Sequence, residues 1–456
     1  MQETCAPQTC GSFAGIPSAG TARGYGLRAG LVFFTALFAF IAVQAPYALS
    51  LSLASALLWT QAAAKVSALF ARPRCAAGFA LSGTADAGTE PDWPFYTVLV
   101  PLYDEAANAP RLLDALSRLD YPADRLEVLI LCEADDLPTQ SAVRNHATPP
   151  ARLVIVPPGG PRTKPNALCH ALQGARGDII TIYDAEDSPH PGQLKAAVRA
   201  FRADPALVAV QAPLVVDNAR PGWVTRQFAN EYAALFHVWV PWLGRMGLTV
   251  PLGGTSNHVL RPALDEAGGW DAYNVTEDAD LSFRLALHSD ARFGWIDFPT
   301  YEEAVPNLRA WTGQRTRWIK GFAQSWGAHV RPARGWQENW RRRLSLHLTL
   351  GLTLLTSLFH VPVLLAAGLM MALGSPPPVA LTCLGASLYL SGIIGIVLGA
   401  HRADRPVRLF DLVTAPLYWA LLTIPAWLAM VELVRKPHYW NKTAHGVSAR
   451  IDAPIQ

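Results

Sequence analysis

The stretch DIITIYDAED, from Asp178 to Asp187, decides the fold class of this 456-residue chain. Its first half is apolar and rich in isoleucine, as in a strand buried on both faces of a parallel sheet. Its second half ends in three carboxylates, Asp184, Glu186 and Asp187. Ligands of open α/β sheets bind beyond the carboxyl ends of the strands, and oxygen ligands suit Mg²⁺ or Mn²⁺. The stretch therefore predicts a divalent metal site at Asp184 with Glu186 or Asp187, although a solvated acidic turn has the same composition.

This stretch is one of five short apolar runs that alternate with helix-like segments. Alternation of this kind predicts an α/β domain with a mostly parallel sheet. The other predicted strands are Phe95 to Leu102, Leu126 to Cys132, Arg152 to Pro157 and Ala206 to Ala212, and two of the predicted helices are Glu105 to Leu119 and Lys164 to Ala175.

Polar residues follow the first two predicted strands and begin the helix after the third. We expect Tyr103 to pack against a nucleotide base while Glu133 or Asp135 accepts a hydrogen bond from it, because such pockets combine an apolar wall with a few polar groups. Lys164 lies at a predicted helix start, where free N–H groups and the helix dipole favour phosphate. A solvated surface is the alternative for each position alone. The predicted donor-binding residues are Tyr103, Glu105, Glu133, Asp135, Lys164 and Asp184.

The segment NVTEDADLSFRLAL predicts a helix with Thr276 as its N-cap. Glu277, Asp278 and Asp280 fall in the first turn of this helix, where carboxylates also interact favourably with the helix dipole. This structural role is enough to explain Glu277 or Asp280. It leaves room for one carboxylate to face the site as a general base.

The segment WTGQRTRWIKGF lies just ahead of the C-terminal apolar runs. An indole face such as that of Trp318 can stack on a pyranose ring, while Gln314 and Arg317 can donate hydrogen bonds to hydroxyls and to a diphosphate. An interfacial helix with aromatic and cationic anchors has the same composition, so both interpretations stay open.

Long charge-free runs near both ends predict membrane-spanning helices. No Asp, Glu, Lys or Arg occurs between Arg28 and Lys65 or between Arg343 and Arg402, and the whole chain is 51% hydrophobic and 16% charged. The first run is too long for one crossing of a hydrocarbon core of about 30 Å, so it predicts a hairpin. The second run is interrupted by GSPPP and predicts two helices. A further apolar stretch, 412–431, either crosses the membrane or lies at its interface.

The positions of basic residues predict which side of the membrane the α/β domain occupies. Lys65, Arg72 and Arg74 follow the predicted hairpin, so the positive-inside rule predicts a cytoplasmic domain. The formal net charge of +3 is too small to indicate nucleic acid as a partner.

Taken in order, the acidic strand end, DAED, TED and QRTRW between membrane segments resemble the family 2 glycosyltransferases, particularly processive synthases such as bacterial cellulose and hyaluronan synthases. The resemblance covers about Tyr96 to Phe322. It implies a GT-A fold, a metal-dependent hexosyltransferase activity, and inversion at the anomeric carbon of the transferred sugar.

The resemblance also implies residue roles. Asp278 matches the family's general base and Lys164 matches a lysine that contacts the diphosphate. Asp184 and Glu186 match the two acidic positions of the D-x-D motif, which handles diphosphate and metal. Glu186 stands where Asp is usual, so Asp187 is an alternative metal ligand. The implied acceptor and diphosphate contacts are Gln314, Arg317, Trp318 and Glu277.

These assignments predict transfer of a sugar from a UDP-sugar to a growing β-linked polysaccharide, coupled to export across the bacterial inner membrane. The predicted partners are the donor, a glycan or lipid acceptor, the lipid bilayer and candidate export proteins. Transfer of a single sugar to a membrane lipid is the alternative. A non-enzymatic nucleotide sensor would not need an intact base such as Asp278.

The predicted organisation is a GT-A domain inserted between transmembrane helices of a multi-pass membrane protein. The predicted segments are a disordered N-terminus (1–25), a transmembrane hairpin (26–70), a cytoplasmic GT-A domain (92–330), an interfacial basic segment (331–345), a C-terminal transmembrane block (346–434) and a cytoplasmic tail (435–456).

Overall fold

A computed structural model provides the coordinates of the protein. It describes residues 62–70, 92–218, 222–287, 291–331 and 339–439. The predicted N-terminus 1–25, residues 26–61 of the predicted hairpin and residues 440–456 of the predicted tail lie outside these ranges. Residues 62–70 are helical.

Two β-sheets are present in the described part of the chain. Their strands are β1 (Tyr96–Leu102), β2 (Leu126–Glu133), β3 (Ala151–Val156), β4 (Ile179–Ile182), β5 (Ser188–Pro189), β6 (Leu207–Gln211), β7 (Leu214–Val216), β8 (Asn257–Leu260), β9 (Arg292–Trp295) and β10 (Thr300–Glu302). The larger sheet has the order β3-β2-β1-β4-β8-β6-β9, and the smaller has the order β5-β10-β7. In the larger sheet, β8 is antiparallel to its neighbours β4 and β6. The other strand pairs of that sheet are parallel.

Helices cover both faces of the larger sheet and continue beyond it. They are α1 (Ala109–Ser117), α2 (Leu137–His146), α3 (Lys164–Leu172), α4 (Gln193–Ala203), α5 (Trp223–Ala234), α6 (Val240–Arg245), α7 (Arg261–Glu266), α8 (Glu277–Leu285), α9 (Leu308–His329), α10 (Trp340–Leu346), α11 (Leu352–Ala372), α12 (Val379–Arg402), α13 (Leu409–Leu421) and α14 (Thr423–Arg435). Two π-helical segments, Leu235–Trp239 and His347–Gly351, join α5 to α6 and α10 to α11.

The continuous apolar runs of the sequence arise because the sheet is covered on both faces. Val98 of β1 belongs to a core that includes Leu112 of α1. The next residue, Leu99, belongs to the opposite core with Leu168 of α3. Successive side chains of a strand point to opposite faces, so both faces of β1 need apolar residues. The α/β fold predicted from the sequence is confirmed.

One strand and one helix are shorter than predicted at the edge where polar turns lie. All five predicted strands are present, but β4 ends at Ile182, before the acidic turn. The helix predicted from Glu105 begins at Ala109, because Glu105 belongs to a turn in which Asn108 donates a hydrogen bond to its side chain at 2.6 Å. The four-residue antiparallel strand β8 was not predicted, since it is too short to show a periodic pattern.

Within the described ranges, three helical segments are long and apolar enough to cross a membrane: Trp340–Ala372, Val379–Arg402 and Leu409–Arg435. The first begins inside 331–345, which the sequence suggested was interfacial and separate from the transmembrane block. Asn339 caps its start by accepting a hydrogen bond from the Arg341 N–H at 3.0 Å. The basic residues after Asn339 lie in the first turn of the helical segment Trp340–Ala372.

The segment Leu409–Arg435 contacts the sheet domain at both of its ends. Near its start, Asp411 forms an ion pair with Arg226 of α5 at 2.9 Å. Near its end, Glu432 forms an ion pair with Lys320 of α9 at 2.8 Å. Between the two, the helix is interrupted at Leu422, the junction of α13 and α14. The segment is therefore held to the sheet domain by ion pairs at two points that are 21 residues apart in the sequence.

Candidate active site

A cavity of about 690 Å³ lies beyond the carboxyl ends of β1, β2 and β4. This is the edge of the sheet at which the sequence predicted a ligand site. Asp135 and Asp187 are the predicted site residues that do not line the cavity. The predicted residues that line it are Tyr103, Glu105, Glu133, Lys164, Asp184, Glu186, Glu277, Asp278, Gln314, Arg317 and Trp318.

The turn after β1 is fixed by a carboxylate that the sequence did not single out. Asp104 adopts a left-handed conformation with φ of 53°, and its N–H donates to Asp136 at 2.6 Å. Asp136 is also the N-cap of α2, where it accepts from the Thr139 N–H at 3.3 Å. One side chain therefore holds the YDE turn against the CEADD turn and positions Tyr103 at the cavity.

Glu133 and Asp135, the two candidates for contact with a base, have different environments. Asp135 forms an ion pair with Arg162 at 2.5 Å on the exposed surface. Glu133 ends β2 and lines the cavity. Burial raises the pKa of Glu133 above its usual value, although Arg162 opposes the shift. Glu133 is therefore the better placed of the two for a ligand.

Lys164, the first residue of α3, connects the DAED turn to the TED helix. Its ammonium forms an ion pair with Asp184, donates to the Gly254 carbonyl at 2.7 Å and lies 3.9 Å from Glu277. Burial alone would lower the pKa of Lys164, but the charges of Asp184 and Glu277 raise it above its usual value. Lys164 therefore carries a positive charge at the centre of the site.

The loop before β8 enters the site at Gly254, a contribution that the sequence reasoning missed. A Cβ atom at Gly254 would lie 3.4 Å from the Asp278 carboxylate, 3.7 Å from the Lys164 ammonium and 4.0 Å from Asp184. The carboxylates of two distant motifs therefore meet around one backbone position. The signal in the sequence is the Gly-Gly pair in PLGGTSN, since glycine suits close approach by backbone.

Glu277 and Asp278 begin α8 and are buried against the cavity. The Asp278 carboxylate accepts a hydrogen bond from the Ala279 N–H at 2.8 Å. Burial raises the pKa of Asp278, and the Ala279 N–H and Lys164 oppose this rise. Burial raises the pKa of Glu277 to about 7, with the charge of Asp278 adding to the rise and Lys164 opposing it. Raised pKa values suit groups that exchange protons near neutral pH.

Thr276 and Asp280, the neighbours of this pair, have structural roles. Thr276 occupies the N-cap position, but its side chain makes no capping hydrogen bond. Instead it packs against Gly321 of α9, where a Cβ atom would lie 2.3 Å from the Thr276 hydroxyl. Asp280 points away from the cavity and bonds to Arg284 at 2.8 Å and His329 at 2.9 Å. The close packing at Gly321 brings the QRTRW helix beside the TED helix.

The QRTRW motif lies on α9 beside the cavity. Gln314, Arg317 and Trp318 line the cavity, and the side-chain oxygen of Gln314 is buried without a hydrogen-bond partner among the described residues. Arg315 also binds Glu231 of α5 through two hydrogen bonds, of 2.8 and 2.6 Å. This bidentate pair fixes the rotation of α9, which turns Gln314 and Arg317 toward the cavity.

The DAED turn provides two carboxylates to the cavity rather than three. Asp184 and Glu186 line it, whereas Asp187 is 2% exposed and lies beneath the turn. Asp187 accepts hydrogen bonds from the Asp184 N–H at 2.7 Å and from the Thr255 hydroxyl. Asp187 is therefore placed to shape the turn, and Glu186 is the carboxylate available beside Asp184.

The donor set at this turn fits Mg²⁺ or Mn²⁺ held jointly with a ligand. No group of three or more His, Cys, Asp or Glu side chains converges as a metal site within the described ranges. Mg²⁺ usually binds one or two carboxylates together with substrate phosphates and water, and Asp184 and Glu186 supply that number. Glu302 of β10, which the sequence reasoning missed, lines the same cavity, and burial with the nearby charges of Asp187 and Glu186 raises its pKa well above the usual value.

A largely apolar part of the cavity is lined by the membrane-type helices, where Thr349, Thr353, Ser357 and Ser391 add hydroxyl groups to the lining. The cavity continues past Trp318 to Phe236 and Trp239, which lie in the first π-helical segment. The further apolar lining residues of this part are Leu348, Leu350, Leu352, Ile396, Trp419 and Leu422. One cavity therefore joins a polar site at the sheet to an apolar space between the helices.

Two family models match the chain. Glycosyl transferase family group 2 matches residues 179–430, and Glycosyl transferase family 2 matches residues 97–251. The chain belongs to the family 2 glycosyltransferases. The family predicted from the order of the motifs is thus confirmed.

The relatives of the chain include lipid-modifying enzymes and glycan synthases. A beta-monoglucosyldiacylglycerol synthase of Synechocystis sp. is 29% identical over 80% of this chain and 78% of that protein. Cellulose synthase 2 of Novacetimonas hansenii is 27% identical over 56% of this chain and 16% of that protein. Among solved structures, a mannosyltransferase from Pyrobaculum calidifontis in complex with GDP-Man and Mn²⁺ has a TM-score of 0.54 and 25% identity, covering 83% of this chain and 98% of that one. The predicted GT-A fold is confirmed.

Proposed function

We propose that this glycosyltransferase moves a hexose from a nucleoside diphosphate sugar, UDP-linked in our assignment, to a hydroxyl of a membrane lipid. The observation that carries the proposal is the continuity of the cavity from Asp278 to the apolar wall at Leu352 and Ile396. A lipid hydroxyl at Asp278 would leave its hydrocarbon chains on that wall, where burial of apolar surface is favourable. The relationship to a beta-monoglucosyldiacylglycerol synthase supports the same acceptor class.

Polymer synthesis, the first expectation from the sequence, is the second candidate. It is favoured by the indole rings of Trp239, Trp318 and Trp419, which line the cavity and offer stacking faces for sugar rings. Aliphatic side chains outnumber the hydroxyl-bearing ones (Thr349, Thr353, Ser357 and Ser391) on the membrane-side wall, however, and aliphatic side chains give sugar hydroxyls no hydrogen bonds. We therefore favour the lipid acceptor.

The chemistry assigned to the site is a single displacement with inversion. Asp278 takes the proton of the acceptor hydroxyl as the new bond forms, and the raised pKa of this carboxyl suits that role. Lys164 and Arg317 hold the diphosphate, and Tyr103 with Glu133 holds the base. Asp184 and Glu186 would hold Mg²⁺ or Mn²⁺, which neutralises charge on a leaving diphosphate. An α-linked donor would then give a β-linked product.

The topology we propose places the GT-A domain on the cytoplasmic side of a bacterial inner membrane. Nucleotide sugars are made in that compartment, and the three long apolar helices support association with a membrane. The ion pairs of Asp411 and Glu432 with the sheet domain support an interfacial Leu409–Arg435 segment that does not cross. Gln324 of α9 also donates to the Pro437 carbonyl at 2.9 Å, which supports a tail on the same side as the catalytic site.

Product analysis tests the proposed function. Purified protein in nanodiscs is supplied with a panel of UDP-sugars, Mg²⁺ or Mn²⁺, and dioleoylglycerol. We expect release of UDP and a lipid bearing one sugar, seen by mass spectrometry, with a β-anomeric proton in the NMR spectrum. The Asp278→Asn variant serves as the background. A long glycan made without consumption of the lipid would contradict the lipid acceptor and support polymer synthesis.

The metal assignment is tested by comparing two neighbouring carboxylates. Glu186→Gln should raise the metal concentration for half-maximal activity by about tenfold or more, because it removes one of two cavity-facing ligands. Asp187→Asn, the matched control, keeps an oxygen that accepts from the Asp184 N–H, so we expect a smaller change than for Glu186→Gln. Titration of activity with Mn²⁺ measures both. A larger shift for Asp187→Asn than for Glu186→Gln would reverse the assignment.

A further inference from the structure

Lys65 is a cation on the membrane side of the cavity, far along the chain from the motifs. It belongs to the helix 62–70 and lines the cavity together with its neighbours Ala64, Ala68 and Leu69. Its ammonium lies 6.0 Å from the centre of the Trp419 ring. It is thus placed toward the cavity and over an aromatic face, a position that favours a cation.

The described neighbours of Lys65 in the cavity include aromatic rings. Trp419 stacks on Tyr389 at 6.0 Å between ring centres, and the Tyr389 hydroxyl lies 2.5 Å from the His360 imidazole. Across the described ranges of the chain, no Asp or Glu forms an ion pair with Lys65. In the same cavity Lys164 does have such a partner, Asp184. Lys164 is therefore paired with a carboxylate of the protein, whereas the described contact of the Lys65 ammonium is with the Trp419 ring.

A cation in this position requires a physical reason. A charge held in a largely apolar cavity is costly unless it is paired, and Lys65 lines such a part of the cavity. The charge-free run that precedes Lys65, back to Arg28, offers no acidic residue to pair with it. An anionic ligand in the cavity would supply a counter-charge to Lys65.

We propose that Lys65 binds the phosphate of an anionic lipid whose chains occupy the apolar part of the cavity. This inference rests on the proposed function, because it assumes that a lipid enters there. The donor diphosphate is assigned to Lys164 and Arg317, so Lys65 is left to recognise the acceptor side. The preferred acceptor is then a phosphate-bearing lipid with a free hydroxyl, and neutral diacylglycerol is a weaker-binding member of the same acceptor class.

A binding measurement with matched lipids tests the proposal independently of sugar transfer. Tail-labelled phosphatidic acid and diacylglycerol with identical chains are titrated into the full-length protein in detergent. We expect the wild type to bind phosphatidic acid about tenfold more tightly, as for a charge-assisted contact in an apolar site. Lys65→Met should remove this preference while leaving diacylglycerol binding unchanged, and Lys65→Arg should keep it. Lys195→Met, which changes a lysine paired with Asp120 on the outside of the sheet domain, is the control.

Several outcomes would overturn the proposal. A wild type that binds both lipids equally would do so, and so would a Lys65→Met variant that keeps the preference. Displacement of the lipid by an excess of inorganic phosphate would indicate a free-anion site instead. Unchanged diacylglycerol binding shows that the Lys65→Met protein is folded. If the Lys65→Met protein cannot be purified, Lys65→Gln is used in its place.

A parallel assay separates this proposal from the proposed function. Sugar transfer to phosphatidylglycerol and to dioleoylglycerol is measured with the same preparations. Absence of transfer to either lipid would contradict the proposed function, while the binding preference would still decide the role of Lys65. In another outcome, Lys65→Met leaves transfer to dioleoylglycerol unaffected and the protein binds both lipids equally. This outcome would support a lipid acceptor and contradict recognition of a phosphate by Lys65.

Discussion

Asp278→Asn should lower the rate of sugar transfer by roughly 100- to 10 000-fold, the usual contribution of a general base. An amide oxygen can still accept from the Ala279 N–H, as the carboxylate does at 2.8 Å, so the start of α8 should keep its geometry. Lys164, assigned to the diphosphate, is untouched. We therefore expect UDP to bind with nearly wild-type affinity. Initial rates and UDP titration by calorimetry measure the two effects.

The control for this prediction is a carboxylate of the same type away from the cavity. Asp265→Asn removes an exposed partner of Arg261, an i,i+4 pair on α7, and should leave the rate of transfer unchanged. If Asp278→Asn turned over at near the wild-type rate, another group would be the base. Glu277, whose pKa is raised to about 7, would then be the next residue to replace.

Asp280→Ala should destabilise the protein by roughly 3–5 kcal/mol, the range for breaking a buried ion pair. Asp280 and Arg284 are both fully buried and 2.8 Å apart, and His329 donates to the other Asp280 oxygen at 2.9 Å. Removal of the carboxylate leaves the Arg284 charge without its carboxylate partner in a site that excludes water. Denaturant unfolding in detergent, followed by fluorescence, measures the loss.

A double-mutant comparison checks the cause of that loss. His329→Leu alone should also destabilise the protein, because Arg342 donates to the other ring nitrogen of His329 at 2.8 Å. If the three side chains act as one network, the losses from Asp280→Ala and His329→Leu should sum to more than the loss in the double variant. Simple additivity would mean that Asp280 acts without His329.

The contrast between Asp278 and Asp280 shows where inference from the sequence reaches its limit. The sequence placed both residues in one helical turn, and the order of the motifs implied that Asp278 was the base. Residues two apart on a helix point in different directions, but which direction meets a ligand depends on the packing of α8. That packing is set by Gly321 of α9, which lies against Thr276. The local sequence pattern around Asp278 contains no information on the contact between Thr276 and Gly321.

The acidic turn after β4 gives a second example. The sequence left Glu186 and Asp187 as equal candidates for the metal, because both follow Asp184 closely and both are carboxylates. The fold buries Asp187 beneath the turn, where it accepts from the Thr255 hydroxyl of a loop 68 residues further along the chain. A hydrogen bond across that separation cannot be inferred from one strand and its turn.

By itself, the sequence determined the α/β fold, the family and the apolar helices, because these depend on local periodicity, charge-free length and the order of short motifs. Only the tertiary structure decided that Gly254 and Glu302 join the site, that Asp135 and Asp187 stay outside it, and that Leu409–Arg435 contacts the sheet domain at both ends. It also decided the continuity of the polar site with an apolar wall. The physical reason is that such features depend on long-range packing, which brings together side chains that no sequence interval relates.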